Sequence, residues 1–281
     1  GNFAISTQME DTRGRIWIGT LDRGIQILDT ATGLAKLYTR KQGLSDDLVQ
    51  YIVEHNGKII LSTQKGGIEI IDTSLKKIER VGVKQGLVTA NVTSIERDKE
   101  NNIWLGEIDV PGIDILDLQN KNIRHIGSAE GLNDSTILDI KKDRQGIMWF
   151  YSQKTGIGQL DIDARTVTHI LQSDYKSLTG AAEDNQLMQG QDGKVWLFSS
   201  VNGLFAINAA RDSVTHFTTA QGLLSNRLTS LKEYKGRIYA GSGGGLNILT
   251  PPSLTADNKW QIESLGKSDG VAKNARTYNS D

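Results

Sequence analysis

The chain has 281 residues, enough for a sizeable core, and its 32 basic against 33 acidic residues leave a formal charge of -1. That balance excludes a global field favouring nucleic acid or an anionic membrane surface. The absence of cysteine excludes disulfides and thiolate zinc sites, and thirty glycines against three prolines point to many tight turns and an all-β fold.

From the N-terminus, "GNFAISTQMED" lacks the basic region and apolar run of a signal peptide, and no stretch approaches eighteen continuous apolar residues. The expectation is a soluble segment with no membrane insertion of its own, either a mature product or an excised piece. The first clear elements are "RIWIGT" and "GIQILD", joined through Asp22 and Arg23. They recur. The second motif returns as "KGGIEIID", "VPGIDILD", "KTGIGQLD", "VNGLFAIN" and "GGGLNILT", aligning Gly24, Gly67, Gly112, Gly156, Gly203 and Gly245 at intervals of 43, 45, 44, 47 and 42. The first returns too, aligning Trp17, Ile60, Trp104, Trp149, Trp196 and Tyr239.

Each unit holds four segments that read as strands, short, rich in β-branched residues and bounded by turn residues. In the third unit they are "VTSIERD", "NIWLGE", "GIDILDL" and "NIRHIGS". A further signature precedes each new unit as "QGLSDD", "QGLVTA", "EGLNDS" and "QGLLSN", whereas the fourth unit offers "DYKSLTGAAED". Four short strands in roughly 40 to 50 residues is the period of a β-propeller blade. The expected fold is therefore a β-propeller of four-stranded antiparallel blades with six repeat units, either six-bladed or an incomplete seven-bladed ring. Blades fall at about 1–44, 45–87, 88–132, 133–178, 179–223 and 224–271, and 272–281 resembles the start of a further repeat. Radial packing of neighbouring blades assigns the six aligned aromatic or apolar positions to core between blades.

The pattern from Asp11 to Asp46, D-x-x-G-x-I-W-I-G-T followed by G-I-x-x-x-D and Q-G-L-S, resembles the two-component regulator propeller repeat, and the resemblance covers nearly the whole chain. Ile60, Tyr239 and the fourth unit's missing Gly-Leu signature depart from it. The resemblance implies the periplasmic sensor region of a hybrid two-component histidine kinase, with further sensor and kinase domains downstream in the same chain and oligosaccharides as the usual cue.

With strands running outward from an axis, the loops from second to third strand emerge on one face together with the links between units. Recognition usually resides in such loops. The candidate ligand-binding residues are Asp22, Arg23, Gln64, Lys65, Glu107, Asp109, Gln153, Lys154, Tyr175, Asn202, Asn226 and Arg227, with Asp46, Asn91 and Asn133 beside them. Their amides, carboxylates and guanidiniums suit the hydroxyls of an oligosaccharide or another polar small molecule. No cofactor is expected.

Other motifs point away from chemistry. His125, His169 and His216 each lie thirteen residues after the aligned glycine, and equivalent positions on a rim do not converge on one ion, so no metal site is expected. Asp29, Asp72, Asp117 and Asp161, with Asn208, recur five residues after the glycine as turn residues. "GSGGG" leads into a strand with no Lys-Ser or Lys-Thr after it. The turns at Asp11 and Asp143 resemble the aspartate boxes of sialidases, but no arginine cluster, acid and tyrosine-glutamate pair can be assigned at non-equivalent blade positions. A non-catalytic sensor is the expectation, with a protein-docking scaffold and a glycan-active enzyme as alternatives.

Overall fold

In the computed structural model, the described residues are 4–72, 74, 78–134, 136–154, 156–161, 166–170 and 186–271. They form six four-stranded antiparallel sheets in which the strands of each sheet are hydrogen-bonded in chain order. The blades occupy 5–38, 49–81, 92–126, 137–170, 186–217 and 228–265. The third is built from Val92–Arg97, Asn102–Glu107, Ile113–Asp117 and Ile123–Ile126. Tyr175 and residues 272–281 lie outside the described residues.

By compactness the chain divides into two units. The first holds Gly1–Met148 with Leu160–Val167, and the second Trp149–Gln159 with Thr168–Thr277. Within the first, Trp17, Ile25 and Ile27 of blade one pack with Ile52, Ile59 and Leu61 of blade two. Ile60, Ile68 and Ile70 of blade two pack in turn with Ile95, Ile103 and Leu105 of blade three. Within the second, Trp196 and Phe217 of blade five pack with Leu231, Ile238 and Leu249 of blade six. Burying such side chains contributes about 1.5–3 kcal/mol each, and it is available only because a neighbouring blade covers the sheet. Tyr239 is the exception among the six aligned positions. It is half-buried and tilted 6.5 Å from Tyr234.

Polar bonds align consecutive blades end to end. Ser6 Oγ donates to Val49 O at 2.5 Å, start of strand to start of strand, and Thr12 Oγ1 donates to Glu54 Oε1 at 2.7 Å at the far end. In the second unit the amide of Gln191 donates to Glu233 Oε2 at 2.7 Å, the counterpart of Thr12 N on Glu54 Oε2.

The Gly-Leu signature has a physical basis in the link between blades. Thr39 N donates to Gln42 Oε1 at 3.0 Å across a 3₁₀ turn, Gly43 takes φ 112°, and Leu44 is buried. Gly86, Gly131 and Gly222 repeat the left-handed geometry at φ 113°, 93° and 111°, a region that side chains other than glycine's rarely occupy. The sixth blade is followed by the same turn, Lys267–Asp269 closed by Gly270.

Candidate functional site

The loops from second to third strand bond to the links between blades. Gly24 N donates to Asp47 O at 2.7 Å, Gly67 N to Ala90 O at 3.0 Å and Ile108 N to Asn91 O at 3.2 Å, all in the first unit. Blades one and two align start with start, and Arg97, ending blade three's first strand, donates to Glu54 O near the end of blade two's, so these loops and links lie on one face of that unit. In the second unit Gly203 N donates to Asn226 O at 2.8 Å.

In the first unit Asp22, Arg23, Gln64, Lys65, Asp109 and Asn133 are exposed, and Asp46 and Asn91 are half-buried. Asp22 and Arg23 face each other loosely, at 3.9 Å with both side chains more than half exposed. Asn91 Nδ2 reaches Asp109 Oδ2 at 3.2 Å. Asp46 Oδ1 accepts from Leu48 N and so helps hold its own link. In the second unit Lys154 and Arg227 are exposed, and Gln153 and Asn202 are half-buried. Asn226 is committed to the backbone, its Oδ1 accepting from Thr219 N at 2.8 Å, as Asp47 Oδ1 accepts from Arg40 N. A concavity of about 440 Å³ lined by Tyr234, Lys235, Arg237, Tyr239 and Leu254 sits at the opposite end of the sixth blade, beside the turn between its first two strands.

Glu107 is placed differently from its neighbours in sequence. It ends the second strand of blade three, is fully buried, and neither carboxyl oxygen faces a hydrogen-bond donor. The register explains what it meets. Asp114 pairs with Leu105 across the second and third strands and with His125 across the third and fourth, so Glu107, two residues beyond Leu105, is a diagonal neighbour on the same face. His125 Nδ1 lies 2.8 Å from Asp114 Oδ1, while His125 Nε2 lies 2.9 Å from Pro111 O. Asp114 Oδ2 accepts from Val88 N at 2.8 Å. Among the described residues, one oxygen or nitrogen from each of Glu107, Asp114 and His125 falls within 4.8 Å of the others. Burial, reinforced by the charge of Asp114, pushes the Glu107 carboxyl up to about 10. The hydrogen bond to Asp114 raises His125 above its ordinary value.

The histidine spacing shows why a sequence reading misses this group. His125 meets carboxylates of its own blade, while its counterpart His216 stacks on Phe205 at 4.0 Å and bonds Asn202 O, and His55 bonds Asn101. His169 lies on its blade's fourth strand, Thr166–Ile170, and its side chain is outside the described residues. The recurrent acids behave as turn residues. Asp29 Oδ1 accepts from Ala31 N and Thr32 N, Asp117 Oδ1 from Gln119 N and Asn120 N, and Asp72 Oδ1 from Ser74 N. Asp11 Oδ2 accepts from the Trp17 indole at 2.8 Å, which gives the aspartate-box pattern a structural role.

No family model matches the chain. No curated protein matches it either. Solved structures do. The extracellular domain assigned to the hybrid two-component system BT3049 of B. thetaiotaomicron is similar with TM-score 0.73 and 17% identity, over 98% of this chain and 37% of that one. The corresponding domain of BT4673 from the same organism gives 0.73 and 18%, over 96% and 37%. Virginiamycin B lyase from Staphylococcus aureus gives 0.67 and 15%, over 94% and 84%. The chain thus spans little more than a third of the length of the two sensor domains. Among the described residues no helix is long and apolar enough to cross a membrane. What these likenesses establish is the fold: a β-propeller of four-stranded blades, common to extracellular domains of two-component systems and to a lyase.

Proposed function

We propose that the chain is a non-catalytic, extracytoplasmic ligand-sensing module of a hybrid two-component signalling protein, located in the periplasm. It binds an oligosaccharide or another polar small molecule on the loop face and relays the bound state to kinase domains downstream in the same chain. The observation that carries the reading is the gathering, on one face of the first unit, of exposed Asp22, Arg23, Gln64, Lys65 and Asp109, whose mixed donors and acceptors match sugar hydroxyls. The likeness to extracellular domains of two-component systems supports the signalling context. Because blades are stiff, the signal is expected to pass by reorienting whole domains.

Calorimetric titration of the purified chain against a panel of glycan fragments tests this. Binding by at least one fragment, weakened in Asp22→Ala and Arg23→Ala, is the expected result, and no binding by any fragment counts against it. The lyase likeness makes an enzyme the second reading. New products in the same mixtures would establish that reading.

A further inference from the structure

In the other blades the residue aligned with Glu107 is a hydroxyl, which closes the loop from second to third strand in blades one, four, five and six and bonds the preceding link in blade two. Thr20 Oγ1 donates to Gly24 O at 2.9 Å, Ser152 Oγ to Gly156 O at 3.3 Å and Ser242 Oγ to Gly245 O at 3.1 Å. Ser199 Oγ accepts from Val201 N and Asn202 N, and Thr63 Oγ1 pairs with Ser45 Oγ at 2.9 Å. The third blade alone puts a carboxylate there. Its loop has no equivalent bond, and it carries Asp109 at φ 77° and Gly112 at φ 137°. A buried carboxylate without a donor is costly, so the group either keeps its proton or exchanges it for a cation.

We propose that Glu107, Asp114 and His125 bind one divalent transition cation, which closes the third blade's loop in place of the hydroxyl bond used by the others. Three side chains of suitable type already converge. His125 Nε2 lies against Pro111 O, a carbonyl that can only accept, so that nitrogen keeps its proton, whereas Nδ1 donates to Asp114 Oδ1 and would release that proton as a cation takes its place. Asp114 is held through Oδ2 by Val88 N, leaving Oδ1 toward His125. Glu107, with both oxygens free of donors, supplies the third ligand. Bonds of about 2.0–2.2 Å to nitrogen and oxygen put tetrahedral ligand atoms roughly 3.3–3.6 Å apart. The cluster, already within 4.8 Å, needs small side-chain adjustments to reach that geometry.

One imidazole with two carboxylates suits Zn²⁺ and its first-row neighbours, whereas Ca²⁺ and Mg²⁺ prefer all-oxygen sets. The cation has a way in, since the two acids are fully buried but the His125 side chain is 32% exposed. A cation there would fix the loop that carries Asp109 and so set the local shape of the loop face.

The test uses the whole chain, stripped with a chelator and titrated with ZnCl₂ by calorimetry, with bound zinc counted by elemental analysis. One Zn²⁺ per chain is expected. Glu107→Gln and His125→Ala are expected to weaken uptake by roughly 10- to 100-fold or more, and His55→Ala to leave it unchanged. Glu107→Thr restores the residue type found at Thr20 and Thr63. It is expected to keep the β-sheet circular dichroism of the wild type, to remain folded without metal and to lose zinc. Absence of uptake by the stripped wild type would overturn the proposal, as would uptake by folded Glu107→Thr equal to that of the wild type.

Discussion

At the scale of single residues, the aspartate six positions before the aligned tryptophan does three jobs at once. Asp98 accepts from Glu100 N and Asn102 N through Oδ1, and from the Trp104 indole at 2.9 Å through Oδ2. Burial works to raise its pKa, but the bonds from Trp104, Asn102 and Glu100 outweigh it and hold the carboxyl below its ordinary value. A carboxylate with a lowered folded pKa adds stability above about pH 3.8, and that contribution disappears as pH falls through the folded value. The gap in urea midpoint between wild type and Asp98→Asn is therefore expected to shrink from pH 7 to pH 3. A gap that stays constant would refute the assignment. Trp196 provides a contrast, because Gly190 stands where the aspartate would be and the indole N–H has no partner among the described residues. Trp104→Phe is expected to cost about 1–3 kcal/mol more than Trp196→Phe in matched unfolding curves.

At the scale of the element, the departures from the repeat follow turn length. Blades two and six join their first two strands through two-residue turns, Asn56-Gly57 at φ 49° and 70°, and Lys235-Gly236 at φ 51° and 73°. Both residues sit left-handed, as the tightest hairpins require. Such a turn has no room for the aspartate, and these are the blades with Ile60 and Tyr239 in place of tryptophan. The link between blades has its own clamp. Ser45 N donates to buried Glu69 Oε1 at 2.5 Å, Val88 N to Asp114 and Leu224 N to Asn247 Oδ1 at 2.8 Å. Because blade six uses an amide there, Glu69→Gln is expected to be tolerated. Glu69→Leu strands the Ser45 amide and is expected to lose about 1–3 kcal/mol by chemical denaturation.

At the scale of the whole molecule, the near-balance of charge sets how a ligand is held. With a formal charge of -1 and both signs mixed among Asp22, Arg23, Lys65 and Asp109, no net field attracts an ion from a distance. Binding of a neutral oligosaccharide is expected to keep its affinity when salt is raised. A steep loss with salt would point instead to a charged ligand. The likeness in fold to both sensor domains and a lyase means that the scaffold does not choose the chemistry, which belongs to the loops.

Sequence by itself determined the all-β fold, the four-stranded blade and its sixfold recurrence. Period, turn residues and the aligned tryptophans are local properties repeated often enough to be read without coordinates. It also determined the turn roles of Asp29 and Asp117, since a side chain that bonds the backbone two residues on needs no distant partner. Tertiary structure decided which loop residues are available. Asp22 and Glu107 look alike in sequence, but one is exposed and the other buried, because a blade's neighbours close over one end of a strand and not over the adjoining loop. It also decided the meeting of Glu107, Asp114 and His125. They lie on three successive strands, and cross-strand register, a nonlocal property, brings them onto one face.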